Sequence, residues 1–279
     1  VHVLPKFTRD TTDRNRTSPF AFTGNKFEFR MLGSSNSIAD ANVMLNAAVA
    51  ESLCQYADIL EIADDFESAL HETIKNTVKE HKRIIFNGNG YDDAWIKEAT
   101  EKRGLSNLRT TPDAAKALLE KKNIDMLTLH KIFTPAEIEA RYETTLENYC
   151  KAVNIEALTM VDMVRKEILP AVESYTGDLA STLKTKLSVV PELSGKYEKS
   201  AIAKLSSLAD EISDAATALD LELIKLKTVT DEAEVAALIR DVIIQKMAEL
   251  RVACDEAENV TSKKYWPFPT YGDLLFGVK

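Results

Sequence analysis

Two long apolar stripes at helical spacing constrain this chain more than any other feature of its sequence. In each stripe, large aliphatic residues recur at steps of three and four, which places their side chains on one face of an α-helix. The first comprises Ile202, Leu205, Leu208, Ile212, Leu219, Leu223 and Leu226, and the second Val235, Leu238, Ile239, Val242, Ile243, Met247 and Leu250. Because only residues 228–231 separate them, the stripes predict two long helices packed as an antiparallel hairpin.

A third long helix is predicted to begin at Pro135. Thr134 is a suitable N-cap residue, proline is favoured at the first helical position, and Glu137 completes a capping box. We expect this helix to end near Leu169, because Pro170 disfavours helical backbone in the residue before it. Upstream of Thr134, apolar periodicity and helix start and stop signals predict further helices over 38–63, 65–82, 92–103, 112–121 and 123–131.

The strand signals are confined to the first 32 residues, apart from "RIIF" at 83–86, which is a weaker candidate. "PFAFT" and "KFEFRM" alternate with a period of two and flank Gly24-Asn25, a pair typical of a two-residue hairpin loop. The predicted fold is therefore α+β, with short antiparallel strands followed by a mainly α-helical extension with long antiparallel helices. We place the domain limits at 1–52, 53–263 and 264–279.

The C-terminal segment 264–279 is rich in aromatic residues. Pro267 and Pro269 exclude a helix in "YWPFP", so this tail is predicted to be extended. Left in water, its aromatic and aliphatic side chains would form a large apolar patch. We therefore expect the tail to dock on the helical body or on a neighbouring subunit.

Composition excludes several classes of partner. The chain of 279 residues has 44 acidic and 35 basic side chains, a formal net charge of -9, and this balance argues against binding to nucleic acid or to an anionic membrane surface. No apolar run approaches the ~18 residues that a membrane span needs. The three cysteines show neither a disulfide framework nor a metal-binding pair, so we expect reduced, buried thiols in a cytoplasmic protein.

The segment "DRNRTSPFAFTGNKFEFR", residues 13–30, carries the only candidate chemistry. The four histidines lack metal-ligand spacing, and "NGNG" at 87–90 lacks the lysine of a phosphate-binding loop. On a strand, Lys26, Glu28 and Arg30 share one face, and Phe27 and Phe29 share the other. Two interpretations remain open: a charged face in water, or a polar face lining an active site in which Glu28 holds a cation and the arginines hold anions.

The blocks around this segment carry a resemblance. "NRTSPFAFTGNKFEFR" resembles the arginine-rich segment of glutamine synthetases, in which an Asn-Arg-Ser/Thr run precedes a strand with a Glu-x-Arg motif. The blocks "RIIFNGNGYDDAW", "FTPAEIEARYETTLENYC" and "YWPFPTYGDLLF" are similar to type III members of that family. The resemblance implies the C-terminal piece of the glutamine synthetase catalytic domain followed by a helical extension. Since the chain starts at Val1 without methionine, we expect a fragment that lacks the N-terminal part.

The resemblance also implies an activity, the ATP-dependent ligation of ammonia to L-glutamate through γ-glutamyl phosphate. It makes Glu28 a ligand of Mg²⁺ or Mn²⁺, and Arg30 a contact to glutamate. Arg16 is implied to be catalytic, near the phosphates and the glutamate, and charge neutralisation there is worth ~10³–10⁵ in the rate of phosphoryl transfer. It further implies a homo-oligomer of stacked rings in the intact enzyme, with the fragment alone inactive.

One position departs from the family pattern. Better-known members have a further arginine five residues after the arginine matched by Arg16, and this chain has Ala21 there. Lys26 is the candidate for the nucleotide contact on this side. The alternative, from another functional class, is a non-catalytic helical oligomerisation or interaction module, which would have no need of Arg16 or Arg30.

Overall fold

A computed structural model of the chain describes residues 20–22, 26–30 and 36–277. The chain divides into two compact units. The first unit comprises Val1–Arg109 with Ala117–Glu139, and the second comprises Thr110–Lys116 with Ala140–Lys279.

The first unit contains the strands and the shorter helices. Strands β1 (Phe20–Phe22) and β2 (Phe27–Phe29) pair antiparallel, which confirms the predicted pair of strands. The predicted loop residues Gly24 and Asn25 lie outside the described residues. The helices that follow are α1 (Ala39–Glu61), α2 (Phe66–His81), α3 (Asp93–Lys97) and α5 (Lys121–Leu129). α1, α2 and α5 confirm the predicted helices to within two residues, whereas the helix predicted over 92–103 is α3 followed by a π-helical turn at Glu98–Lys102.

The segment 83–86 is not a strand, so that candidate was wrong. Lys82–Ile84 form a 3₁₀ turn directly after α2, and the described residues contain no third strand. The carbonyl groups of Arg83 and Ile85, which a strand would offer to a neighbour, instead accept hydrogen bonds from the Arg103 guanidinium at 3.2 and 2.9 Å. Arg103 itself lies over the ring of Trp95, at 4.7 Å from its centroid.

The core of the first unit forms where α1, α5 and the start of the next helix meet. Ala47, Leu127 and Ile138 are buried together there. A polar contact joins the same elements, because the His130 ring nitrogen Nε2 lies 2.8 Å from Glu51 Oε2. The pKa of Glu51 is held below its usual value, first by a hydrogen bond from Gln55 and then by His130.

The second unit is built from long helices. After the short α4 (Thr111–Ala115), these are α6 (Pro135–Met163), whose first turn belongs to the first unit, α7 (Leu169–Val189), α8 (Lys196–Leu226), α9 (Glu232–Leu238) and α10 (Ile244–Val260). The first predicted stripe lies on α8, and the second runs from α9 through a π-helical turn at Ile239–Ile243 into α10. Most of the residues in both stripes are buried in one core. The ion pairs Lys186–Glu198 and Arg165–Asp220 show that α8 runs antiparallel to α7 and to the π-helical turn at Val164–Ile168 that precedes α7. The ion pair Lys204–Glu256 joins the first half of α8 to the last turns of α10, as expected for an antiparallel hairpin.

The capping box at Thr134 is confirmed, but the predicted end of the helix at Leu169 was wrong. The Glu137 amide donates to Thr134 Oγ1 at 3.3 Å, and the Thr134 amide donates to Glu137 Oε2 at 2.7 Å. Pro170 does not stop the helix, because a π-helical turn at Val164–Ile168 ends two residues before it and the proline lies in the first turn of α7. The wider turn changes the backbone register, so helical backbone continues through the proline into α7.

The tail behaves as predicted only in its first half. Residues 266–270 contain no helix, and Trp266 and Phe268 pack against the core of the second unit, so docking on the helical body is confirmed. The Tyr265 hydroxyl donates to Asp178 Oδ2 at 2.6 Å. The second half is not extended: Tyr271–Phe276 form a short helix, α11, because Thr270 and Asp273 complete a capping box that favours helix after Pro269.

The cysteines and the membrane prediction can be compared with the structure directly. Cys254 is buried, Cys150 is half-buried and Cys54 is exposed, so the expectation that all three thiols are buried was wrong. Cys54 lies on the outward side of α1. Among the described residues, no helix is both long enough and apolar enough to cross a membrane.

Candidate active-site strand

The strand β2 brings three of the predicted site residues together. Arg30 donates to Glu28 Oε2 through Nη2 at 2.8 Å and through Nε at 3.2 Å. Lys26 Nζ lies 3.5 Å from the other carboxylate oxygen of Glu28. The alternation of the strand is the local cause, since residues two apart point to the same side. The predicted charged face of Lys26, Glu28 and Arg30 therefore exists.

The charge of Glu28 follows from these contacts. The hydrogen bond from the Arg30 guanidinium is the largest influence, and it lowers the pKa of Glu28 below its ordinary value, while partial burial opposes this. The attraction of Lys26 acts in the same direction as Arg30. Glu28 is thus an ionised carboxylate near neutral pH, the form that binds cations and cationic groups.

The opposite face of the hairpin is unusual for a strand whose charged side faces water. Phe27 is 63% exposed, whereas Glu28 on the charged face is half-buried. Phe20 stacks on Phe27 at 5.2 Å between ring centroids and meets Phe29 edge-on at 6.2 Å, so three rings form one outward aromatic surface. A simple solvated-face strand would bury its phenylalanines and expose its carboxylate. In this hairpin the phenylalanines are exposed, and Lys26 and Arg30 on the charged face are exposed as well.

Ala21 lies directly opposite Glu28 across the hairpin and is buried. Residues opposite each other in an antiparallel pair have Cβ atoms ~4.5–5.5 Å apart, so position 21 lies beside the Glu28 carboxylate. The departure from the family pattern at Ala21 therefore falls at the candidate site itself. Lys26 is the cationic side chain that the described strands place near this carboxylate in addition to Arg30.

Arg16, the fourth predicted site residue, lies outside the described residues. The structure thus brings together Lys26, Glu28 and Arg30.

The donor groups of this strand can be compared with those that a divalent metal prefers. Mg²⁺ and Mn²⁺ prefer hard oxygen ligands, and Glu28 supplies a carboxylate of that kind. The described residues contain no group of three or more histidine, cysteine, aspartate or glutamate side chains arranged to hold a metal ion. Glu28 thus fits as one ligand, but the described part of this chain does not form a complete metal site.

Two further polar arrangements in the first unit escaped the sequence reasoning. One is the Glu51–His130 contact, between residues 79 positions apart. The other is centred on Arg103, which pairs with Glu98 at 2.7 Å and lies over the ring of Trp95. Trp95 in turn stacks on Phe86, with 3.8 Å between the ring centroids. No local sequence pattern links Glu51 to His130, whereas Glu98 and Arg103 lie five residues apart at the two ends of one π-helical turn. Both arrangements have the character of structural contacts.

Comparison with known proteins extends these observations over the whole chain. The family model described as the glutamine synthetase C-terminal domain matches residues 69–186. A "Glutamine synthetase" of Butyrivibrio fibrisolvens is 38% identical over 98% of this chain, and a "Type-3 glutamine synthetase" of Dictyostelium discoideum is 36% identical over 98%. A "Glutamine synthetase" of Bacteroides fragilis is 31% identical over the same share. The chain spans 39%, 38% and 38% of the length of these three relatives.

The chain, with its Glu-x-Arg strand and its long helices, is thus similar to these enzymes along almost its full length. It falls in the class of proteins that contain the glutamine synthetase C-terminal domain. The chain belongs to the glutamine synthetase family, as the resemblance predicts, and its relatives include a type-3 member.

Proposed function

We propose that the chain is part of an ATP-dependent ligase that joins ammonia to L-glutamate. In the proposed reaction, a side-chain carboxylate oxygen of glutamate attacks the γ-phosphorus of ATP, and ADP leaves. Ammonia then attacks the carbonyl carbon of the γ-glutamyl phosphate, inorganic phosphate leaves, and a proton is released as glutamine forms. The observation that supports this proposal is 31–38% identity to glutamine synthetases over 98% of the chain, including the Glu28–Arg30 strand.

The proposed roles follow the charges and geometry of the strand. Arg30 presents a planar fork suited to the carboxylate of glutamate, and Arg16 would neutralise charge on the transferred phosphoryl group. Lys26 is the proposed nucleotide-side cation in place of an arginine at Ala21. Glu28 is proposed as one ligand of the divalent metal that such enzymes use with ATP. When glutamate binds, Arg30 must exchange part of its contact with Glu28 for the substrate.

Surfaces of the first unit support a site that is completed elsewhere in a longer protein. The aromatic face of the hairpin is exposed, and so is a stripe on α1 formed by Leu45, Val49 and Leu53. These three residues are spaced four apart and share one helix face. An isolated two-stranded hairpin is only marginally stable in water. We propose that protein outside this chain covers both surfaces and supplies the remaining carboxylate ligands.

A direct assay tests the proposal. The 279-residue chain and the full-length product of its gene are each incubated with ATP, glutamate and ¹⁵N-ammonium, with Mg²⁺ or Mn²⁺, and labelled glutamine is measured. We expect label in glutamine only with the longer protein, because the described part of the chain has an incomplete metal site. A preparation from a host strain that lacks its own glutamine synthetase serves as the control. Turnover by the chain alone, or none by the longer protein, would contradict the proposal.

A role in assembly is the second candidate, and one observation favours it. The short helix α11 exposes Tyr271, Leu274, Leu275 and Phe276, with Tyr271 84% and Phe276 81% exposed. A capped helix with this much apolar surface suits contact with another protein surface. We propose that the helical region also contributes to a homo-oligomer of stacked rings in the cytoplasm, as the family resemblance implies. The two functions are compatible in one protein.

A further inference from the structure

A cavity of about 230 Å³ lies in the second unit, on residues that the proposed ligase reaction does not use. The end of α6 and the π-helical turn after it line one side, with Met160, Met163 and Val164. Cys254 of α10 also lines the cavity and is buried, and this burial raises the pKa of the thiol to about 11. The thiol is therefore neutral at physiological pH, like the apolar side chains of α6 in the same lining.

The docked tail supplies the aromatic wall. Trp266 and Phe268 both line the cavity, with ring centroids 6.1 Å apart and ring planes at 76°. Both rings are half-buried, so each packs on the core and still contributes surface to the cavity. Tryptophan has the aromatic face that attracts a cationic group most strongly.

The rim of the cavity carries a negative charge that has no ion-pair partner among the residues that the structure describes. Arg251, Asp255 and Glu258 all lie on α10 at the opening. Arg251 Nε donates to Asp255 Oδ2 at 3.2 Å, so these two charges compensate each other. No ion pair of Glu258 occurs within the described ranges 20–22, 26–30 and 36–277. A chain with a net charge of -9 adds to the attraction for a cation at this opening.

The backbone beside the cavity is also unusual. Val164–Ile168 form a π-helical turn, and Val164 and Ile168 both belong to the cavity lining. Such turns are rare and occur frequently at functional sites. The turn and the end of α6 therefore form one continuous part of the cavity lining.

We propose that this cavity binds a small organic amine. Its apolar body would lie against the methionines and Phe268, and its ammonium group would lie between the Glu258 carboxylate and the Trp266 ring. The volume admits about eight groups of the size of water at ~30 Å³ each, which corresponds to a single aromatic ring with a short amine chain. The site lies apart in sequence from the Glu28–Arg30 strand, and it does not depend on the proposed ligase activity.

Tryptophan fluorescence tests this proposal, because the chain has only Trp95 and Trp266. In a Trp95→Phe background, Trp266 is the sole reporter. The probes are 2-phenylethylamine and 3-phenylpropionate, which share a ring and differ in the sign of their charge. We expect a saturable change in Trp266 emission with the amine and none with the carboxylate. We also expect the affinity for the amine to fall as salt is raised.

Two substitutions on α10 separate a specific site from general attraction. Glu258→Gln should weaken amine binding about fivefold or more, because it removes the carboxylate at the rim. Glu249→Gln removes one negative charge from the same helix outside the cavity, where Glu249 pairs with Lys246, and it should leave binding unchanged. Circular dichroism confirms the fold of each variant. No saturable change with the amine, an equal response to the carboxylate, or full binding by Glu258→Gln would overturn the proposal.

Discussion

At the scale of single residues, Glu28 and Arg30 illustrate how a short local pattern can fix a charged contact. The two residues are two apart on a strand, so their side chains meet on one face, and the 2.8 Å hydrogen bond follows from that spacing. Such neighbours can be predicted from sequence. The partner of His130 could not be, because Glu51 is 79 residues away and only the packing of α1 against α5 brings it close.

The arginines of the candidate site give a kinetic prediction for the full-length protein. Arg30→Ala should chiefly raise the KM for glutamate, because it removes a carboxylate contact that the ground state already makes. Arg16→Ala should chiefly lower kcat, since its charge is proposed to matter most as the phosphoryl group moves. Steady-state kinetics with varied glutamate and varied ATP measure both parameters.

Conservative variants serve as the control for these kinetics. Lysine at either position keeps the charge but loses the planar fork, so Arg30→Lys and Arg16→Lys should not restore full activity. Lys75→Ala on α2, an exposed residue paired with Glu72, should leave both parameters unchanged. If Arg30→Ala and Arg16→Ala both behave like the unmodified enzyme, the strand is a solvated face and the proposed roles are wrong.

At the scale of elements, helix starts were more predictable than helix ends. Thr134, Pro135 and Glu137 form a capping box from three adjacent signals, and the helix begins where they indicate. Pro170 was a misleading signal, because the π-helical turn at Val164–Ile168 lets helical backbone pass through it. The periodicity of side chains does not reveal a one-residue change in backbone register, so this feature was beyond sequence reasoning.

The C-terminal tail also divides into two parts: its first half packs on the core of the second unit, and its second half is an exposed helix. Its prolines correctly predict a non-helical first half, and the aromatic side chains there find a place on the core. The second half is helical because Thr270 and Asp273 cap it, and Lys263 pairs with Asp273 at 2.6 Å. These contacts lower the pKa of Asp273 to about 2, with Lys263 as the first cause.

This division predicts unequal effects of two deletions in the 279-residue chain. Removing residues 264–279 should lower the free energy of unfolding by about 2–4 kcal/mol, because the half-buried Trp266 and Phe268 leave the core. Removing only 271–279 should change it by less than about 0.5 kcal/mol, since α11 buries none of its residues. Urea denaturation followed by circular dichroism measures both values.

The shorter deletion is the matched control for the longer one. In the Trp95→Phe background, the emission of Trp266 should lie at short wavelength and should resist quenching by iodide. Equal stability after the two deletions, together with a solvent-like spectrum of Trp266, would show that the tail does not pack on the core.

At the scale of the whole molecule, the sequence predicts the fold class and the protein family better than it predicts the assembled active site. The helical stripes, the strand pair and the family blocks together predict an α+β chain of the glutamine synthetase family, and the comparisons bear this out. The assembled active site could not be predicted from this chain, because the carboxylates of the described residues do not cluster and Arg16 lies outside those residues. Sites built from distant segments depend on contacts that no local pattern encodes.

The central claim is that the Glu28–Arg30 strand belongs to the active site of a glutamine-forming ligase. The most direct measurement is the rate of ¹⁵N-glutamine formation by the full-length protein carrying Glu28→Gln, compared with Glu72→Gln on the exposed face of α2. We predict at least a ~100-fold loss for Glu28→Gln with an unchanged melting temperature, because a neutral amide replaces an ionised carboxylate at the candidate metal position. Glu72→Gln should retain full activity. Full activity in Glu28→Gln would contradict the claim.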